Sequence, residues 1–230
     1  IGAPWFRKTV LTVLAVMLCA QVLAFWPRIY SLPAIEFLRV SARLSQSDEI
    51  RAYKESVVVV RTDDAKGTGF IISADGLVVT NRHVVEGARR PVVSLPNGDT
   101  YIAEVAAVGT EADLAILDLD AQDLPALPLA ERYNGEAGMP IYVIGNPLFF
   151  NGIANEGETI GLLGGFHPPA IGLQAPIYKG NSGSPVIGRS GEVIGVVYAI
   201  GTIARNGGGK QKVGLAVPVE RVIELLDAVH

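Results

Sequence analysis

Short apolar runs separated by polar turn signals dominate the chain from Val57 onward. The runs are rich in Val, Ile and Leu, and Asp75-Gly76 and Asn97-Gly98 separate neighbouring runs. Such dipeptides between apolar runs favour β-hairpins, and many short strands at this spacing are typical of a β-sandwich or β-barrel. Only at the end do apolar residues recur at helical intervals, which predicts a helix over residues 219–230.

The longest apolar run lies near the beginning of the chain. Residues 9–26 carry no charge, and as a helix they would span roughly 27 Å, close to a bilayer core of about 30 Å. Arg7 and Lys8 precede the run. Three interpretations are open: a buried helix, a signal peptide cleaved after Val22-Leu23-Ala24, and an uncleaved membrane anchor. We favour the anchor, because the apolar run continues through Phe25 and Trp26.

These patterns divide the chain into segments of different character. The predicted segments are a membrane anchor or signal segment (1–30), a helical linker or stalk (31–55), a β-rich domain (56–222) and a C-terminal helix (219–230). A connector rich in Pro, Ala and polar residues splits the β-rich domain into two strand-rich blocks, about 56–125 and 138–218.

Composition excludes several classes of protein. One Cys and three His in 230 residues exclude an intramolecular disulfide framework and a Cys-based zinc site, so we expect no metal and no cofactor. The net charge of −4 argues against a nucleic-acid partner, which usually requires a basic patch. An apolar content of 49% argues against disorder.

The octapeptide Lys-Gly-Asn-Ser-Gly-Ser-Pro-Val contains the candidate nucleophile, Ser182. Gly180 lets the backbone bend so that its own amide and that of Ser182 converge on one point, as in an oxyanion hole. The alternative is an ordinary Gly/Ser turn. The nucleophile elbow of α/β-hydrolases does not fit, because it needs a Gly where Ser184 stands and a later His, and only the terminal His230 follows.

Two further residues complete a candidate catalytic set. His83 follows a predicted strand, and Asp113 opens another. Taken alone, the first could be a structural histidine and the second a turn residue. Together with Ser182 they supply what a serine nucleophile needs, which is a base near neutral pH and a carboxylate that orients it.

From Val57 to about Val222 the chain resembles the trypsin-like serine proteases, specifically the bacterial HtrA/Deg branch. The matching segments are GTGFIISADGLVVTNRHVV (67–85), DLAIL (113–117), IGNP (144–147), APIYKGNSGSPV (175–186), GEVIGV (191–196) and VGLAVPVE (213–220). The resemblance implies an all-β fold of two perpendicular antiparallel six-stranded β-barrels with the site in the cleft between them. It also implies His83 as general base, Asp113 as its orienter, Ser182 as nucleophile and an oxyanion hole at Gly180, Asn181 and Ser182.

Departures from the family pattern bear on specificity. The family commonly has Gly where Ser184 stands, and the form GNSGSPV resembles the glutamyl endopeptidases of the same clan. Those enzymes hold a substrate Glu with a His in the following strand, which residues 195–198 lack. Trypsin-type specificity needs an Asp where this chain has a proline. We therefore predict an apolar pocket for Val, Ala or Leu, lined by Pro176, Tyr198, Ala199 and Ile200.

The resulting expectation is a serine endopeptidase that acts on unfolded or regulatory polypeptides. We expect it to be tethered through residues 9–26 to the outer side of a bacterial inner membrane, or periplasmic or secreted if that segment is cleaved. The resemblance allows a homotrimer, and no PDZ module follows the protease segment in this sequence. The alternative is a non-catalytic chaperone or scaffold that retains the protease fold.

Overall fold

The structure is a computed structural model that describes residues 5, 8, 11–14, 16, 17, 33–204 and 208–229. The chain divides into two compact units, Ile1–Arg39 and Val40–His230. The second unit contains all the strands that the structure describes.

Three helices flank the strand-rich region, and one short helix lies within it. The helices are α1 (Pro33–Leu44), α2 (Asp48–Glu55), α3 (Arg82–Val85) and α4 (Glu220–Asp227). The strands of the first sheet are β1 (Val57–Arg61), β2 (Lys66–Ile71), β3 (Leu77–Thr80), β4 (Val92–Ser94), β5 (Thr100–Ile102), β6 (Glu104–Val108) and β7 (Ala115–Asp118). Those of the second are β8 (Ala137–Gly145), β9 (Ile153–Leu163), β10 (Ala170–Gln174), β11 (Pro185–Ile187), β12 (Val193–Ala204) and β13 (Lys210–Pro218).

The first sheet departs from the expected six-stranded barrel. It has seven strands in the order β5-β4-β1-β2-β3-β7-β6, and every paired neighbour is antiparallel. Its two edge strands, β5 and β6, are consecutive in the chain and separated only by the buried Ala103, whose amide bonds to the carbonyl of Pro91. One segment, interrupted at Ala103, therefore supplies both edges, which brings the strand count to seven. The two edge strands are not paired with each other, so the hydrogen-bond ladder is not closed.

The second sheet is a closed barrel of six strands in the order β10-β13-β12-β11-β8-β9, which confirms the predicted six-stranded barrel for this half. Its interior contains Ile141, Val143, Ile171, Val186 and Ala216, each no more than 2% exposed. The two halves share a further core. Phe70, Leu114 and Ile116 of the first half pack in one cluster with Ile144, Val196 and Val217 of the second. The mostly β fold is thus confirmed, while the perpendicular orientation of two barrels stays a prediction.

The terminal segments were expected to be helical. Residues 33–55, within the predicted linker, form α1 and α2, whose Leu44 and Ile50 join the shared core. The expected membrane segment, residues 9–26, lies largely outside the described residues; those described, 11–14, 16 and 17, are helical. Among the described residues no helix is both long and apolar enough to cross a membrane. The described part of the C-terminal helix is α4, and His230 lies outside the described residues.

Candidate active site

The pairing of β3 with β7 brings His83 and Asp113 together. The two strands are antiparallel and Thr80 pairs with Ala115, so the end of β3 lies beside the beginning of β7. After β3 the chain turns at Asn81 into the single helical turn α3, which contains His83. The imidazole Nδ1 lies 2.5 Å from Asp113 Oδ2, and the His83 amide donates to Asp113 Oδ1 at 3.0 Å.

The electrostatics of this pair favour a charged Asp113. Burial raises the pKa of Asp113, but the hydrogen bonds from the His83 ring and amide outweigh this, and the pKa lies below its ordinary value. The hydrogen bond to Asp113 raises the pKa of His83 above its ordinary value, although burial opposes it. The fully buried Asn81 donates from Nδ2 to the backbone carbonyl of Asp113 at 2.7 Å and so holds the backbone of Asp113 in place.

Ser182 lies on a tight turn just before β11. The turn requires positive φ angles at Gly180 (+99°) and Gly183 (+84°), which glycine adopts without strain. The amides of Asn181, Gly183 and Ser184 donate to backbone carbonyls at 2.8 to 3.0 Å. The amides of Gly180 and Ser182 donate to no group of the described residues. Of the three residues expected at the oxyanion hole, Gly180 and Ser182 have unpaired amides, whereas the Asn181 amide donates to the Tyr178 carbonyl at 3.0 Å and is not available as a donor.

Thr68 on β2 ties this turn to the first sheet. Its amide donates to the Ser182 carbonyl at 2.8 Å, and its hydroxyl donates to the Gly180 carbonyl at 2.7 Å. The approach is so close that a Cβ at Gly183 would lie 1.9 Å from the Thr68 carbonyl oxygen. Only glycine fits there, which explains the residue that follows Ser182.

His83 and Ser182 both line a cavity of about 500 Å³. Its other walls include Gly180, Lys179, Leu148 and Phe149, and the Phe149 side chain is 96% exposed at the rim. The cavity lies where α3, which follows β3 of the first sheet and supplies His83, meets the turn before β11, which supplies Ser182. The structure thus brings the three expected catalytic residues into one region. His83 contacts Asp113, and it lines the same cavity as Ser182.

The four residues expected to form a specificity pocket do not line this cavity. Tyr198 lines a separate cavity of about 260 Å³ beside Asp113, Ala199 packs against the cluster of Ala170, Val213 and Leu215, and Pro176 and Ile200 are exposed. A register shift between Val197 and Ala199 breaks the regular alternation of β12, which the sequence pattern did not reveal.

Sequence reasoning missed three residues that position the site. These are Thr68, Asn81 and Leu148, whose amide donates to the Lys179 carbonyl at 2.9 Å. A polar residue between two glycines, as in Gly67-Thr68-Gly69, was the one available signal for the first. Among the described residues no group of three or more His, Cys, Asp or Glu side chains could hold a metal.

Comparison with known proteins now places the chain in a family. Residues 67–196 match the family model described as a trypsin-like peptidase domain. The chain is 36% identical over 169 residues to a "Probable periplasmic serine endoprotease DegP-like" of Halomonas elongata, an alignment covering 70% of this chain and 34% of that protein. The chain belongs to the HtrA/Deg family of trypsin-like serine proteases. It spans about a third of the length of the curated relatives it matches.

Solved structures share the fold of this chain. The structure titled "HtrA-type protease AlgW with tripeptide" is 29% identical with a TM-score of 0.69, covering 79% of this chain and 62% of that one. An inactive mutant form of Rv3671c from M. tuberculosis is 26% identical with a TM-score of 0.66, covering 81% of this chain and 92% of that one. The fold is therefore the chymotrypsin-like β fold, with one closed barrel and one open sheet.

Proposed function

We propose that this chain is a serine endopeptidase in which Ser182 is the nucleophile, His83 the general base and Asp113 the residue that orients the base. The observation that carries the proposal is the contact of 2.5 Å between His83 Nδ1 and Asp113 Oδ2, beside the cavity that His83 shares with Ser182. Family membership supports it, because relatives of this chain are named serine endoproteases.

The proposed reaction is acyl transfer in two steps. Ser182 Oγ attacks the peptide carbonyl carbon while His83 Nε2 takes the hydroxyl proton, and the unpaired amides of Gly180 and Ser182 donate to the developing oxyanion. Collapse of the tetrahedral intermediate breaks the C–N bond, and His83 gives its proton to the leaving amine. Water then attacks the acyl-enzyme by the same route, which releases the acid and regenerates Ser182.

A fluorophosphonate probe tests the nucleophile directly. We expect it to label the full-length protein, and Ser182→Ala to abolish both labelling and cleavage of casein. Ser184→Ala is the matched control: it lies on the same turn, is fully buried, and its Oγ has no hydrogen-bond partner in the described protein. Labelling that survives in the Ser182→Ala variant, or that disappears in the control, would overturn the assignment and favour a non-catalytic scaffold.

We further propose a preference for small apolar residues at the position that precedes the scissile bond. The residue six positions before Ser182 is Pro176, so no carboxylate stands there to pair with a substrate Arg or Lys. Tyr198, Ala199 and Ile200 supply apolar surface on β12. Hydrolysis of a peptide library should favour Val, Ala and Leu at that position, and a preference for acidic or basic residues would contradict the pocket.

The proposed setting is the bacterial envelope. Several relatives are named periplasmic, and residues 9–26 of this chain are uncharged. We propose that this segment anchors the chain to the inner membrane with the protease domain outside the cytoplasm. Protease added to spheroplasts should then digest the domain, whereas protection from digestion would contradict this location. The homotrimer implied by the resemblance is checked by light scattering of the detergent-solubilised protein.

A further inference from the structure

A second large cavity, of about 580 Å³, lies away from His83 and Ser182. It lies over one face of β1, between the turn at Pro96–Gly98 and the segment 146–152, and we call it the β1 cavity. Its lining contains two cationic side chains, Lys54 and Arg61, and no carboxylate. In a protein with a net charge of −4, a cavity whose charged lining residues are both cationic indicates a ligand of opposite charge.

The two cations have no acidic partner among the described residues. The Lys54 ammonium donates only to neutral hydroxyls, to Ser45 Oγ at 2.5 Å and to Ser41 Oγ at 3.3 Å. Burial lowers the pKa of Lys54, because the charged form loses water and gains no carboxylate in exchange. An anion beside this ammonium would compensate for that lost hydration. Arg61, exposed at the end of β1, presents a second charge at the rim.

The other residues that line the β1 cavity suit a ligand that is larger than an inorganic ion and partly apolar. The buried side chains of Val57 and Val59 form an apolar floor, while Ser94, Thr100 and Asn151 supply neutral hydrogen-bonding groups. The volume is many times the roughly 30 Å³ that one water molecule occupies in the liquid. A carboxylate joined to apolar side chains, as in a polypeptide segment, fills such a space better than an inorganic anion does.

We propose that the β1 cavity is a binding site for an acidic polypeptide segment. Carboxylates of the segment pair with Lys54 and Arg61, and a neighbouring apolar side chain rests on Val57 and Val59. This site is separate from the catalytic residues of the proposed protease, so the binding itself does not depend on hydrolysis.

One segment of the chain forms a wall of both cavities. Asn146, Asn151 and Gly152 line the β1 cavity, and Leu148 and Phe149 line the cavity of His83 and Ser182. The two sides of the segment are tied together, because the Gly152 amide donates to Asn146 Oδ1 at 2.9 Å.

The same segment touches the proposed oxyanion hole. The Leu148 amide donates to the Lys179 carbonyl at 2.9 Å, and this holds the peptide whose nitrogen belongs to Gly180. A ligand that orders segment 146–152 therefore also orders the Lys179–Gly180 peptide. This link, unlike the binding itself, rests on the proposed function, because it concerns the oxyanion donor.

Binding is tested on the full-length chain in detergent, with Ser182→Ala in the background so that no peptide is cleaved. The probe is a fluorescein-labelled peptide Val-Glu-Glu-Glu-Val, and its control is the same peptide with Gln for Glu. We expect only the acidic peptide to bind, and Arg61→Gln and Lys54→Gln each to weaken it at least about tenfold through loss of a charge-assisted hydrogen bond. Lys212→Gln, an exposed lysine on β13, is the matched control and should bind normally.

Equal binding to the Arg61→Gln and Lys212→Gln variants, or no binding of the acidic peptide at all, overturns the site. Lys54 also bonds to Ser41 and Ser45, so the thermal unfolding transition of the Lys54→Gln variant is measured alongside its binding. If the Lys54→Gln variant is unfolded, the result for Arg61→Gln alone decides the test. Glutarate, a free dicarboxylate, forms a further arm. Binding of glutarate as tight as that of the peptide contradicts a polypeptide occupant.

Hydrogen exchange tests the link between the two cavities. The acidic peptide should slow exchange of the amides in residues 148–152, above all that of Leu148, and the Gln peptide should not. Unchanged exchange in the presence of saturating acidic peptide overturns the link. Both measurements use a variant without the nucleophile, so failure of the proposed protease activity is detected by the fluorophosphonate experiment and not by these.

Discussion

Both carboxylate oxygens of Asp113 are hydrogen-bonded by a single residue, His83, through its ring and its amide. When Asp113 is charged, Nδ1 of the ring must donate, and Nε2 is left as the acceptor for a serine proton. The backbone of the pair is fixed in turn by Asn81. At the scale of residues, the geometry therefore selects the tautomer that a general base requires.

The raised pKa of His83 predicts the acid limb of the pH profile. Since the base must be neutral, kcat/KM should fall as the pH drops below an apparent pKa above the ordinary value of about 6.5. Asp113→Asn removes the cause of the raised pKa, so the limb should move to lower pH and kcat should fall about 10⁴-fold. Hydrolysis of a chromogenic peptide across the pH range measures both effects.

Glu111→Gln removes an exposed carboxylate two residues from Asp113 and is the control. Its acid limb should coincide with that of the unmodified protein. An acid limb that stays in place in the Asp113→Asn variant would show that His83 and Asp113 do not act together.

Two elements from opposite halves of the β-rich region meet at Thr68. Strand β2 supplies the threonine, and the turn before β11 supplies the carbonyls of Gly180 and Ser182. The hydroxyl also accepts the Asn146 amide at 2.9 Å, so it connects the turn with the end of β8. The position of the nucleophile is thus determined by a strand more than a hundred residues earlier in the chain.

Thr68→Val should lower kcat by about 10- to 100-fold with little change in KM, because it keeps the shape but removes the bond to the Gly180 carbonyl. The loss of the hydroxyl leaves that carbonyl and the Asn146 amide unpaired, so stability should fall by about 1–3 kcal/mol. Steady-state kinetics and urea unfolding measure the two effects. Thr202→Val, on an exposed part of β12, is the control, and equal losses in both variants would contradict a positioning role.

The contact between β8 and the nucleophile turn depends on a glycine. A Cβ at Gly145 would lie 2.1 Å from Ser184 Oγ. Ser184 itself stands where the family commonly has Gly. Gly145→Ala should cost about 1–3 kcal/mol through overpacking, and Ser184→Gly in the same chain should restore at least half of it. Urea unfolding of the unmodified protein, the two single variants and the double variant gives the coupling energy. Gly164→Ala, where a Cβ meets nothing within 4 Å, is the control, and an additive cycle would refute the contact.

The sequence predicted those strands, helices and site residues that neighbouring residues along the chain indicate, and it predicted few contacts between distant segments. His83 and Asp113 could be paired in advance because a serine nucleophile needs a base with an orienting carboxylate, and the resemblance to trypsin-like proteases implies these two residues for those roles. Thr68 could not, since its partners lie far along the chain and its one local signal, the flanking Gly67 and Gly69, does not show which groups it bonds. The four residues of the predicted specificity pocket do not line the cavity of His83 and Ser182, and the sequence pattern does not reveal the register shift between Val197 and Ala199 in the strand that carries three of them. Residue patterns also do not report that β5 and β6, separated only by Ala103, pair with different strands, β4 and β7.

At the scale of the whole molecule, the two halves of the β-rich region share one core. Phe70 and Ile116 come from the first sheet and Ile144 and Val196 from the barrel, and all four are fully buried in the same cluster. A core common to both halves makes independent unfolding costly, because either half alone would expose it to water.

Ile116→Ala should therefore destabilise both halves. We expect a loss of about 2–5 kcal/mol and a single unfolding transition, with hydrogen exchange accelerated in the barrel as well as in the first sheet. Far-UV circular dichroism in urea and exchange mass spectrometry measure these effects. Val108→Ala removes a side chain that is 44% exposed on β6 and should cost less than about 0.5 kcal/mol. Faster exchange confined to the first sheet would show that the halves unfold separately.

The bonds from Thr68 have a consequence for biosynthesis. All strands of the first sheet have been synthesised once Asp118 has left the ribosome. The barrel cannot close until β13, which ends at Pro218, has also been made. The turn that carries Ser182 receives its bonds from β2 only when the later half has folded against the earlier one. A growing chain therefore holds no assembled site until the residues up to Pro218 have been made and have folded.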